Sequence, residues 1–192
     1  MGAAFVVALA IVLAVRLGVE PREQLTLALR LTARWSFLWF WLASAGGALA
    51  ALFGPSFQPL AQRGRDFGLA FASAHLVHLG LVAWLLYRSV TPFPRSALIF
   101  FGIAVFWIYL LALLSIRRLA AMLAPAIWRI VRTLGVEYIS LAFLADFAKN
   151  PFQGGVRHLV AYLPFLVLAV AGPLLRLTAT AKRLSLVRRL AV

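Results

Sequence analysis

Residues 62–88, QRGRDFGLAFASAHLVHLGLVAWLLYR, decide how the rest of the chain is read. A basic, polar turn (Gln62, Arg63, Arg65, Asp66) gives way to a mostly apolar run of about 20 residues, the length an α-helix needs to cross a bilayer. Two of the chain's three histidines, His75 and His78, lie in that run. Each residue of an α-helix turns by about 100°, so Gly64, Gly68, Ala72, His75 and Leu79 fall within roughly 80° of one another, with His78 about 60° to one side. Small residues let a neighbouring helix, or a flat cofactor, come close. An imidazole near the middle of an apolar span is costly without a partner, which makes His75 a candidate site residue.

Composition sets the class around this stretch. The chain has 192 residues, 64% of them hydrophobic and 12% charged, with a mean hydropathy of +0.97. A soluble domain is nearer half apolar and a quarter charged. The expected fold is therefore all-α, a polytopic transmembrane helix bundle forming a single domain over residues 1–192. This length holds about six spans of about 20 residues and leaves no room for a soluble catalytic domain. If the chain works in redox chemistry, donor or acceptor sites must lie partly on a redox partner protein.

The formal charge of +14 comes from 19 Lys and Arg against 5 acids. In a soluble protein that balance would point to nucleic acid. Here the basic residues flank hydrophobic spans, so the lipid bilayer is the expected partner and nucleic acid is not. The chain has no cysteine, which excludes disulfides, thiolate metal sites and iron–sulfur ligation by its own residues.

Outward from the histidine stretch, residues 3–19 form a first hydrophobic segment, read as a retained span rather than a cleaved signal because no basic leader precedes it. Residues 20–34, EPREQLTLALRLTAR, read as a polar connection with a short interfacial helix. Residues 35–53 are the second span, with Trp35, Trp39 and Trp41 in its first turns, where they would anchor at headgroup level. Gly54-Pro55 and Pro59 break it, and residues 57–66 form a loop before the histidine span at 67–88. SVTPFPR (89–95) is a turn, since its two prolines cannot continue a helix. Residues 97–116 are an uncharged span stopped by Arg117 and Arg118, and residues 119–133 read as an amphipathic surface segment. Residues 135–147 form a short span carrying Glu137 and Asp146, which point to opposite faces; the expectation is that each pairs with a neighbouring Arg or Lys near an interface, the alternative being a proton relay. A loop with Pro151 leads to the last span, 158–177, and a basic amphipathic tail, 178–192, suited to lying on a membrane face.

Six spans put both termini on one side, together with the Gln62–Asp66 loop, the basic 117–132 segment and the basic tail. The positive-inside rule then favours a cell (inner) membrane protein with both termini cytoplasmic. The lack of a basic residue before the first span runs against this, and the summed bias outweighs it.

The order of features resembles the ferric reductase-like transmembrane domain family, which includes the haem-bearing membrane subunit of a bacterial methionine-sulfoxide repair system. The likeness runs from about Thr32 to the end. TARWSFLWFWLAS precedes LAQRGRDFGLAFASAHLVHL, and IFFGIAVFWIYLLALLS, IRRLAAML and IWRIVRTLGVEYISL follow. In that family an arginine-rich turn, a Gly-Leu pair and small residues lead to a haem-ligand histidine, the place that His75 holds here. The resemblance implies a b-haem electron-transfer subunit with His75 on the haem iron. The chain also departs from the family. Between Trp128 and Tyr138, where the family places a second ligand histidine, there is none; Arg132 or Leu134 stands there. A further family histidine is missing near Phe147.

Several readings stay open for the histidines. Electron-transfer haems take two axial ligands from facing helices. His75 can be one, and His78, on the same helix face, cannot be the opposite one. A haem could be five-coordinate on His75 or take a non-histidine partner, and a second haem could hang on His78 or His158. A metal ion could sit between His75 and His78, although no carboxylate or cysteine lies close in sequence to complete it. Or the histidines are haem-free polar groups bonded to neighbouring helices. The two functional expectations are a membrane oxidoreductase component moving electrons through haem b, and a haem-free membrane scaffold or partner subunit that keeps only the fold. No hydrolase, kinase or transferase signature is present.

Overall fold

Proline and glycine set most of the helix ends. The computed structural model describes residues 2–116, 119, 124–149 and 155–190, and all secondary structure among them is helical. Helix α1 spans Gly2–Gly18 and α2 spans Pro21–Phe53. A 3₁₀ turn at Pro55–Phe57 and a short α3 at Gln58–Gln62 lead to α4, Gly64–Arg88. Helices α5 (Arg95–Leu114), α6 (Pro125–Ala148) and α7 (Gly155–Leu190) follow. Pro21 and Pro125 occupy first-turn positions, where a missing N–H costs nothing. Gly54, at φ +91°, ends α2 in a conformation that favours glycine. The Gln24 amide donates to the Arg16 and Val19 carbonyls (3.1 and 2.9 Å), closing the turn between α1 and α2. The expected stop at Arg117–Arg118, part of the 119–133 segment and the Pro151 loop lie outside the described residues.

Four helices are long and apolar enough to cross a membrane: Glu23–Phe53, Gly64–Arg88, Arg95–Leu114 and His158–Val187. Their outward faces are apolar, with Ile99, Phe106 and Val160 each about 60% exposed or more (63%, 59% and 67%). Soluble proteins do not leave so much apolar surface in water. This is a helical membrane bundle. Helix α1 is a shorter apolar helix, and α6 carries Arg129, Arg132, Glu137 and Asp146.

Four boundaries differ from the sequence expectation. Residues 57–66 are not a loop: Gln58–Gln62 form α3, and α4 begins at Gly64. Residues 20–34 are not a separate connection: α2 is one helix of 33 residues. No glycine or proline interrupts it between Pro21 and Gly46, and Leu, Ala and Arg are strong helix formers. Residues 135–147 are the second half of the 24-residue α6. The last span and tail are one 36-residue helix that continues through Pro164 and Pro173. Beyond Pro173 nothing breaks it, and Lys182 Nζ donates to the Ala51 carbonyl at 3.2 Å, tying its C-terminal half to α2.

Helix α2 is central, packed on α1, α4 and α7; α5 packs on α6, and α6 on α7. The main core is aromatic: Phe37 and Phe40 of α2, Phe71 of α4, and Phe143 and Phe147 of α6. A second core is made of alanines at four-residue spacing, Ala4 and Ala8 of α1 against Ala70 and Ala74 of α4. Such small-residue seams let backbones approach closely. Gly135 does the same between α6 and α5: a Cβ there would lie 2.8 Å from the Trp107 ring and 2.9 Å from a Leu111 methyl.

Candidate functional site

Helix α4 turns both histidines toward α2. His75 Nδ1 lies 3.3 Å from Ser36 Oγ, and His78 Nδ1 lies 3.1 Å from Thr32 Oγ1. Thr32 and Ser36 are four residues apart on α2, and His75 and His78 three apart on α4, so the pairs meet as two rungs between the helices. Thr32 and Ser36 are fully buried and His75 is nearly so. Each hydroxyl spends its hydrogen on a carbonyl of its own helix, Thr32 to Ala28 at 2.7 Å and Ser36 to Thr32 at 2.8 Å. A hydroxyl has one hydrogen and two lone pairs. Each hydroxyl can thus accept from a histidine Nδ1–H in the tautomer protonated there. The two imidazoles lie 5.2 Å apart, tilted by 34°. His75 also packs on Phe71 at 5.4 Å and on Phe143 at 6.3 Å, edge to face.

These neighbours decide whether a haem fits. A porphyrin on His75 needs an open slot beside the imidazole and, in an electron-transfer site, an opposing ligand. The ring that faces His75 from α6 is Phe143, in direct contact. Arg132 lines a cavity elsewhere and Leu134 is exposed, while Phe147 is stacked on Phe143; none of these meets His75. The small residues of the same stripe lie against α2 and α5. A Cβ on Gly64 or Gly68 would face Ala43 of α2 (3.6 and 4.0 Å), and the Ala72 carbonyl takes a hydrogen bond from Tyr109 at 3.4 Å. Ser36, Phe71 and Phe143 thus occupy the surroundings of His75. For a metal ion, no group of three His, Cys, Asp or Glu side chains converges among the described residues, so the His75–His78 pair lacks a third protein ligand.

One helical turn from His75, on the far side of Phe71, the small residues do open a space. A cavity of about 560 Å³ lies between α2, α4, α5 and α6. Its depth is apolar, with Phe40, Phe71, Ile108 and Ile139, and its mouth carries Arg65, Arg132, Gln62 and Trp128. Among the described residues that line it, none is a histidine, methionine, cysteine or tyrosine, the usual axial ligands to iron.

The remaining candidates are scattered. His158 stacks on Tyr162 at 4.2 Å within α7, and the Arg34 guanidinium lies over the same Tyr162 ring at 4.9 Å. Glu137 forms a two-pronged ion pair with Arg176 of α7 (2.8 and 2.7 Å), as the sequence led us to expect of a basic neighbour. The tryptophans of α2 make contacts with neighbouring helices. Because α2 starts at Pro21, they sit along its middle: Trp35 donates to the Ala4 carbonyl and Trp41 to the Leu168 carbonyl, each at 2.9 Å. The sequence reading missed Thr32 and Ser36, and their four-residue spacing opposite the histidines is the signal that could have found them.

No family model, curated protein or solved structure matches the chain.

Proposed function

We propose that the chain is a haem-free, multi-pass membrane scaffold or partner subunit with a ferric reductase-like order of helices. One observation carries this reading: the histidine in the family's ligand position is bonded to Ser36 and packed against Phe71 and Phe143. It serves as a polar link between α2 and α4. With α1 and α6 crossing beside the four long helices, six passes place both termini on one face. The α3–α4 junction, the start of α6 and the basic end of α7 share that face, which the positive-inside rule assigns to the cytoplasm of an inner membrane.

The test is an absorption spectrum of the purified protein in detergent, oxidised and dithionite-reduced, with haem supplied during expression. The expected result is a folded, colourless protein. A sharp Soret band and reduced α band that vanish in His75→Ala would overturn it in favour of a b-haem electron-transfer subunit. The observation that favours that second reading is the contact of His75 Nδ1 with Ser36: in the tautomer protonated at Nδ1, Nε2 keeps the lone pair that ligates iron.

A further inference from the structure

The cavity beside Phe71 has an amphiphilic build that the histidine link does not use. Its mouth is level with the helix ends: Arg65 is in the first turn of α4, Arg132 in the second turn of α6, and Ser115 caps the C-terminus of α5. In a bilayer such positions meet the headgroups. Among the described residues neither Arg65 nor Arg132 has a carboxylate partner, since the ion pair found there joins Arg176 to Glu137. The cavity's hydroxyls are engaged, Ser44 with the Trp41 carbonyl at 3.2 Å and Ser115 with the Leu111 carbonyl at 2.7 Å. Among the described residues, the free donors at the mouth are thus two guanidiniums, the Gln62 amide and the Trp128 indole N–H. Guanidinium forks match phosphate oxygens, and basic pockets between membrane helices bind anionic lipid heads. Below the mouth the wall is aromatic and aliphatic, with no charge.

We propose that this cavity binds an anionic phospholipid, its phosphate held between Arg65 and Arg132 and an acyl chain lying along Phe40, Phe71, Ile108 and Ile139. The proposal does not rest on whether the protein carries haem, because among the described residues no usual iron ligand lines the cavity.

Trp128, at the mouth, reports on occupancy. The full chain is reconstituted into phosphatidylcholine vesicles containing brominated phosphatidylglycerol or, in parallel, brominated phosphatidylcholine, and the Trp128 signal is taken as the difference from Trp128→Phe. Brominated phosphatidylglycerol is expected to quench Trp128 several-fold more effectively. Arg65→Gln and Arg132→Gln should each weaken that preference about five-fold, the loss expected for one basic side chain at an anionic surface. Arg65→Lys and Arg132→Lys should keep most of it. Both arginines are solvent-exposed, so these variants leave the core intact. Gly68→Leu, whose Cβ would meet only Ala43 Cβ at 4.0 Å, fills the cavity and should reduce quenching by either lipid. Equal quenching by the two lipids, or an unchanged preference in the Arg65→Gln/Arg132→Gln variant, would overturn the proposal. So would loss of quenching on adding glycerol phosphate or inorganic phosphate, because the site would then read a phosphate and not a lipid.

Discussion

Ser36 Oγ lies 3.3 Å from His75 Nδ1 across the α2–α4 interface while donating its own hydrogen to the Thr32 carbonyl one turn back. The same pattern repeats one turn up, with Thr32 beneath His78 and the Ala28 carbonyl beneath Thr32. Neither rung alone is strong. Interhelical hydrogen bonds between membrane helices are worth on average about 0.6 kcal/mol and at most about 1.7. Ser36→Ala should destabilise the bundle by an amount in that range, read as a lowered midpoint of thermal unfolding in detergent. Combined with His75→Phe, its effect should fall short of the sum of the two single changes, since each removes the same bond. Strict additivity would mean that the two side chains do not interact.

Gly135 is fixed by contact. Gly135→Ala places a methyl within 2.8 Å of the Trp107 ring, so α5 and α6 must separate or Trp107 must move. Overpacking of this kind costs about 1–3 kcal/mol. Gly102 of α5 has no atom within 4 Å of the equivalent position, so Gly102→Ala should be neutral or mildly stabilising. Urea or thermal titration of the two variants side by side checks the contrast, and equal behaviour would remove the argument for close α5–α6 packing.

The Arg176–Glu137 pair joins α7 to α6, with Arg176 mostly buried (16% exposed) and Glu137 half-exposed (46%). Arg176 Nη2 also donates to Ser140 Oγ at 2.9 Å, and its Nη1 is buried without a partner. Removing one member of a fully buried pair costs about 3–5 kcal/mol, but solvent reaches Glu137, so the expected cost of Glu137→Gln is about 1–2 kcal/mol. The apolar pair Glu137→Leu with Arg176→Met should recover most of it, because no unpaired charge then remains between the helices. A double variant less stable than Glu137→Gln would show that the ion pair itself holds α6 and α7 together.

The chain has no cysteine, so single introduced cysteines report on topology without background. Arg63→Cys, at the α3–α4 junction, and Arg183→Cys, near the C-terminal end of α7, should react with an impermeant maleimide from the same side of sealed vesicles. Val90→Cys, on the almost fully exposed turn between α4 and α5 (99%), should react only from the other. Labelling of Arg63→Cys and Val90→Cys from one side would mean that α4 does not cross.

The sequence by itself determined the class, because hydropathy is a sum over residues and needs no knowledge of neighbours. Spans rich in Leu, Ala, Val and Phe bounded by proline, glycine and arginine made the helical membrane bundle legible, and the position of His75 within its apolar stretch as well. The beginnings of α2 and α6 and the reach of α7 were not legible. A polar stretch such as 20–34 scores as a connection on hydropathy, yet nothing in it stops a helix, and Arg34 gains the aromatic rings of Tyr162 and Phe165 only when α7 is in place. What faces each side chain was decided by the tertiary structure alone. Trp35, Trp39 and Trp41 became internal contacts once α2 began at Pro21. The histidines met Thr32 and Ser36, and His75 met Phe143. Gly64 and Gly68 opened a cavity with two arginines at its mouth instead of a slot at His75. These outcomes depend on which helix lies beside which and in what register, and that is fixed by how ridges of small and aromatic residues interlock across the bundle.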